Sequence, residues 1–233
     1  MAGTLFNREF EPPDPDESDT AYKVVKAVVD LLPAGGLLFE HLFKPPIERR
    51  SREWQQEIAA ELRRLSDSRA SVDLADLPND EQFVDAVLVA TQAAIRTSQP
   101  LKRKALRNAV LNAALRSSVD ATMQQIFLNL TDRFTDRHLL LLQFAQDART
   151  LTCPDGSPIP SHARATQVLH EVFHDARDNA QLYESLWTDL YTARLVRLDR
   201  LENGPEGDAR SIRRTTTLGD AYLAFITSPL PSK

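Results

Sequence analysis

At 233 residues with 42% hydrophobic side chains, the chain can bury one large core or two small ones, and its single cysteine, Cys153, leaves it without an intrachain disulfide. That cysteine usage, with no signal-peptide pattern at the N-terminus, leads us to expect a reducing, cytoplasmic compartment. The formal charge of -5 belongs to the first 20 residues, where Glu9, Glu11, Asp14, Asp16, Glu17 and Asp19 face Arg8 alone. The other 27 acids and 27 bases cancel, which excludes a general electrostatic pull toward nucleic acid or an anionic membrane.

Residues 1–17, with Pro12, Pro13 and Pro15 among the acids, lack hydrophobic periodicity and read as a disordered acidic tail. From an N-cap at Ser18 or Asp19, the spacing of Tyr22, Val25, Val28, Val29 and Leu32 predicts a short helix ending at Pro33. The segment 31–46 is the most hydrophobic in the chain, yet Pro33, Glu40 and His41 interrupt it before the roughly 20 apolar residues that a membrane span requires. It is expected to fold back as a helical hairpin in the core. The alternative is a docking surface for a protein or a membrane face, through Leu37, Leu38, Leu42 and Phe43.

Pro45 and Pro46 are expected to open a long polar helix whose narrow apolar seam is Ile47, Trp54, Ile58, Leu62 and Leu65. A loop over 66–80 ends in a helix cap. The stretch 81–115 then reads as two core helices meeting at Ser98, Gln99 and Pro100. Phe83, Val84, Val87, Leu88, Thr91, Ala94 and Ile95 mark one apolar face, and Leu101, Leu106, Ala109, Val110 and Ala113 mark the other. The many alanines would let neighbours approach closely, which puts this pair at the centre of a helical bundle. Lys102, Arg103, Lys104 and Arg107 form a basic cluster on the second of them. It reads as a solvated helix face, with phosphate contact as the alternative; Asn108 and Asn112 read as structural hydrogen-bond formers.

Further helices are expected around Met123 to Leu130, after Thr135 as N-cap, after Ser161 as N-cap, and after Asn179, the last carrying Leu182, Tyr183, Leu186, Trp187, Leu190 and Tyr191 on its core side. The segments LVRLDRL and SIRRTTT alternate with period two and predict one short β-hairpin, followed by a last helix DAYLAFI. Helices, hairpin and closing segment follow the order of a winged-helix module. The expected fold class is therefore mainly α, a multi-helix bundle with a C-terminal winged-helix-like module. Its divisions are a tail to 17, a bundle domain over 18–134, the winged-helix-like domain over 135–227 and a tail over 228–233.

The chain carries one catalytic pattern. His170, Glu171 and His174 match HExxH, in which two histidines one helical turn apart hold zinc while the glutamate activates water. Asp175 follows where an uncharged residue is usual, and Glu184 and Glu202 offer a third ligand without supporting context. At about 100° per residue, the apolar face centred on Val172 and Ala176 turns His174 toward solvent. Surface histidines are the expectation and a zinc hydrolase is the low alternative. Cys153 lacks a histidine partner in sequence, and no phosphate-binding or dinucleotide fingerprint appears. The helix that would enter a DNA groove carries Asp178, Glu184 and Asp189, which disfavours phosphate.

Residues 83–115, FLNLTDRFTDRHLLLLQFAQ and TTTLGDAYLAFI together resemble a group of uncharacterised bacterial helical proteins and, more distantly and in layout, the abortive-infection alpha family. The resemblance covers about residues 22 to 226, rests on pattern, and carries over no catalytic residues. It implies a link to phage defence, and the family's more hydrophobic members imply membrane contact. The resulting expectation is a non-enzymatic protein without cofactors that works through a protein partner or its own copies, with a nucleic-acid-binding regulator as the alternative.

Overall fold

The computed structural model describes residues 20, 23, 40–68, 72–115, 119–161, 164–201 and 208–230, the side chains of 40–46 excepted. It is mainly helical. In chain order the helices are α1 (Glu40–Ser68), α2 (Glu81–Arg96), α3 (Pro100–Ala114), α4 (Ala121–Arg133), α5 (Asp136–Asp147), α6 (Ala165–Val172), α7 (Ala180–Thr192) and α8 (Thr217–Ile226), with short 3-10 turns at Leu77–Asn79, Ala148–Thr150 and His174–Ala176. The expected acidic tail and the predicted helix before Pro33 lie almost wholly outside the described residues.

α3 is the axis of the bundle, in contact with α1, α2, α4, α5 and α8. Ala105, Leu106, Ala109, Val110, Leu111, Ala113 and Ala114 are all buried along it, and the small alanines among them let five helices share one neighbour. On α2 the buried face is Phe83, Ala86, Val87, Ala90, Thr91, Ala93 and Ala94, while Val84, Leu88 and Ile95 lie half-buried at its edge. The alanines take the closest approach, so the bulkier Leu88 is pushed aside from where its spacing placed it.

The α1 seam is confirmed for Trp54, Ile58, Leu62 and Leu65, and the Trp54 indole donates to Thr91 Oγ1 at 2.9 Å across the α1–α2 contact. Ile47, expected in the same seam, is instead 44% exposed. It lies a turn before Arg50, whose guanidinium donates to the Ile95 carbonyl at the last turn of α2, and past that level α2 offers no surface to cover it. The helix already runs through Glu40, ahead of the prolines, so Pro45 and Pro46 fall within it and leave the 41 and 42 carbonyls without their helical donors.

Several ends follow the expected chemistry. Asp80 caps α2 through Phe83 N, Asp120 caps α4 through Met123 N, and Thr216 caps α8 through Gly219 N. Asn108 and Asn112 of α3 satisfy the other end of α8: Asn108 donates to the Ile226 carbonyl at 2.9 Å, and Asn112 to Phe225 and Thr227 at 2.7 and 2.9 Å. These are carbonyls with no partner inside their own helix. A single cluster of buried side chains runs from Trp54 to Ile226, and because α8 lies on α3 it spans the expected division at 134/135.

Two segments differ from expectation. The helix expected from Ser161 to Ala176 starts at Ala165 and ends at Val172. Phe173 adopts extended backbone, and its ring packs at 5.3 Å from Tyr183 before a 3-10 turn resumes at His174. Where the hairpin was expected, the described residues hold one antiparallel bridge, Val196 with Thr215, and residues 202–207 between its arms lie outside them.

α7 ends in a Schellman turn, in which Leu195 N donates to Leu190 O and Arg194 N to Tyr191 O. Leu190 and Leu195 are both fully buried, the apolar contact this motif favours, and Arg194 sits at φ +59 in the left-handed region that suits glycine. Arg194→Gly is expected to stabilise the protein by about 1 kcal/mol, raising the melting temperature by about 2–4 °C for a chain of this size. An unchanged or lower midpoint in a thermal melt would show that the arginine side chain contributes more than its backbone costs.

Candidate functional site

The basic cluster lies where two helix N-termini meet. Asp136, at the start of α5, accepts from the Leu101 and Lys102 amides of α3 at 3.2 and 2.7 Å, and the Asp136 amide in turn donates to Gln99 Oε1 at 2.8 Å. Each helix thus caps the other, and the carboxylate offsets two positive dipole ends. Around this joint the cations are drawn inward. Lys102 donates to the Asp132 carbonyl and pairs with its carboxylate at 3.8 Å, and Arg96 pairs with the same carboxylate at 2.8 Å. Arg103 and Arg107 converge on Glu57 of α1 at 3.4 and 2.7 Å. Lys104 is exposed and its ammonium has no partner among the described residues. Of the four candidate phosphate contacts, three therefore tie helices together.

The HExxH residues are separated by the end of α6. His170 and Glu171 sit on its last turn, half-buried, and His174 stands exposed on the following 3-10 turn, so the regular one-turn spacing of two ligands is lost. Arg177 Nε lies 3.4 Å from His170 Nδ1, and this cation, after burial, also holds the His170 pKa below its usual value. Glu184 is exposed on α7, and Glu202 lies outside the described residues. Among the described residues, no three His, Cys, Asp or Glu side chains group closely enough to hold a metal ion. Cys153 is buried in the tight turn Cys153–Gly156, where Gly156 (φ +82) donates to the Cys153 carbonyl.

Of the candidate docking residues, Leu37 and Leu38 lie outside the described residues, and Leu42 and Phe43 are described only as backbone of α1. No described helix is long and apolar enough to cross a membrane.

Two polar networks on α5 escaped the sequence reading. In the first, Arg137 donates to the Tyr183 hydroxyl at 2.5 Å and pairs with Asp175 at 2.6 Å, while the hydroxyl donates to Asp175 at 2.8 Å. Burial, then the bond to Asp175, pushes the Tyr183 pKa up to about 12, and the same hydroxyl bond holds Asp175 low. In the second, His138 is 6% exposed and stacks on Phe134 with centroids 4.9 Å apart. Its Nδ1 lies 3.1 Å from the Thr135 amide and 2.9 Å from Thr135 Oγ1, and its Nε2 lies 3.3 Å from Asp189 of α7. Thr135 followed three residues later by a side chain that reaches back to its amide is half of a capping box, with histidine in the place of the usual Glu or Gln.

The chain matches no family of known proteins, and neither the curated proteins nor the solved structures contain a significant match to it.

Proposed function

We propose that this is a non-enzymatic helical protein that acts by holding another protein, in a setting of phage defence. The supporting observation is the fate of its polar groups: Lys102, Arg103 and Arg107, on which a phosphate site would depend, are committed to Asp132 and Glu57 at half-buried joints between helices. The polar outer faces instead carry isolated large apolar side chains, Ile126 on α4 and Leu182 and Tyr191 on α7, each more than 40% exposed. Tyr191 and Leu182, expected on the core side, are free to meet a partner. The defence setting rests on the abortive-infection resemblance alone, and a cytoplasmic location goes with it.

For the C-terminal part we propose a winged-helix arrangement, with α5, α6 and α7 as its three helices, the Val196–Thr215 bridge at the base of its wing and α8 closing it. The nucleic-acid reading draws on the same arrangement and on exposed Arg194, Arg197 and Arg200, but Glu184 and Asp189 stand exposed on α7. A phosphate backbone would be repelled there.

The test is capture of partners from an extract of the host by the tagged protein and by a Leu182→Glu, Tyr191→Glu variant, alongside plaque counts in a phage-sensitive strain expressing each. The expected result is a captured protein and reduced plaquing, both lost in the variant, with an unaltered melting curve. A salt-sensitive shift of duplex DNA would favour the regulator instead, and one zinc per chain, lost in His170→Ala, would favour the hydrolase.

A further inference from the structure

We propose that His138 is a pH-sensitive latch, which when neutral closes the α4–α5 corner and ties α5 to α7, and when protonated releases the Thr135 amide that it holds. The geometry fixes which nitrogen carries the proton. Because Nδ1 accepts from the Thr135 backbone N–H at 3.1 Å, the ring proton must be on Nε2, where it points at Asp189 Oδ2. Protonation puts a second proton on Nδ1, directly opposite that N–H. Two donors then face each other, and the amide, placed at the N-cap of a helix, loses its acceptor at a half-buried corner against the buried His138 ring.

The surroundings oppose the charged ring more than they support it. Burial is the largest influence and lowers the His138 pKa; Arg133 of α4 acts in the same direction, and Asp189 acts against both. Asp189 is 57% exposed, so water weakens its support. On the other side Phe134 lies against the ring, with Arg133 over the phenyl face at 5.1 Å and Tyr222 of α8 at its edge. α3 contributes Lys102, already engaged by Asp132, and on α5 itself Asp136 caps α3 and Arg137 is held by Asp175. Among the described residues, the Thr135 hydroxyl, 2.9 Å away, is the group placed to take up the new Nδ1 proton.

The sign follows from linkage. A histidine whose folded pKa is lowered leaves stability intact above about 6.5; as pH falls below that value the unfolded chain binds the proton first, and stability drops until pH passes the folded pKa. The test is urea unfolding at pH 7.5, 6 and 5 for the wild type, His138→Gln and Asp189→Asn, with exchange of the Thr135 amide followed in the wild type. Glutamine at this position completes an ordinary capping box and does not titrate. The folded-to-unfolded ratio should fall severalfold more in the wild type than in His138→Gln between pH 7.5 and 5. It should fall further in Asp189→Asn, and the Thr135 amide should lose protection relative to amides of α3 over the same range. Parallel curves for the wild type and His138→Gln would overturn the proposal; so would a Thr135 amide whose protection is independent of pH, even if the glutamine variant does not fold.

Discussion

Val110→Asp is expected to abolish folding. Val110 is fully buried on α3, the helix that touches five others, and it belongs to the hydrophobic cluster that runs through the core. An unpaired carboxylate there costs several kcal/mol, against a total stability of roughly 5–15 kcal/mol for a domain. The protein should therefore express as aggregate. Val110→Ala keeps the site apolar and should cost about 2 kcal/mol, leaving a folded protein with a lower urea midpoint. Leu88→Asp is the informative contrast. Its helical spacing alone predicts equal damage, but Leu88 lies half-buried at the edge of α2, where a carboxylate can reach water. It should fold with a loss of about 1–3 kcal/mol. Soluble Val110→Asp with an unchanged circular-dichroism melt would remove α3 from the centre of the structure.

That contrast shows how far the sequence was legible. Period and composition identified α2 and α3 as the central pair, because burial on a helix imposes a repeat that a single chain displays. What they could not convey is which of two adjacent stripes takes the closest contact. That choice is made by the neighbouring helices, and it favoured Ala86, Ala90 and Ala93 over Leu88. Caps at Asp80 and Thr135 were legible, since a cap acts over three residues, whereas Thr216 caps a helix that starts three residues before the expected DAYLAFI. The networks were not. Glu57 meets Arg107 across 50 positions and His138 meets Asp189 across 51, so the partners are decided by how whole helices lie together. The basic cluster looked like a solvated face for the same reason: its carboxylates come from α1 and from the end of α4.

The predicted hairpin illustrates the opposite difficulty. Alternation in LVRLDRL holds only from Val196 on, with Val196 buried, Arg197 exposed, Leu198 half-buried and Asp199 exposed, and an extended chain crossing a core alternates in this way whether or not another strand accompanies it. Here the chain leaves the Schellman turn of α7, makes one bridge to Thr215, and presents its Leu195 carbonyl to the start of α8. Period two reported burial on one side; it carried no information about pairing. Similarly, the HExxH spacing presupposed a continuous helix, and the extended backbone of Phe173, which seats its ring against Tyr183, ends that helix between the two histidines.

Gly219→Ala should destabilise the protein, and its sign makes it a sharp test of how α8 is held. In an exposed helix the substitution would stabilise by about 1 kcal/mol, because alanine is the better helix former. At Gly219 the added Cβ would stand 2.1 Å from the Leu195 carbonyl oxygen and 3.0 Å from its carbon, both backbone atoms that no side-chain rotation can clear. The same carbonyl accepts from Thr216 N at 2.9 Å, and Thr216 Oγ1 donates to the neighbouring Arg194 carbonyl at 2.6 Å. To admit the methyl group, the N-terminus of α8 must part from the end of α7, which stretches both bonds, worth about 1 kcal/mol each, and shifts Tyr222, Leu223 and Phe225 in the core. We expect a net loss of about 3 kcal/mol, within the range for overpacked sites, and a melting temperature lower by about 6–12 °C. The far end of α8 should resist the displacement, since Asn108 and Asn112 grip its last carbonyls. Adding Asn112→Ala should therefore cost less in the Gly219→Ala background than in the wild type, because it frees the far end of α8 to shift with the rest of the helix. A Gly219→Ala protein that melts at or above the wild-type temperature would mean that α8 does not approach Leu195 this closely.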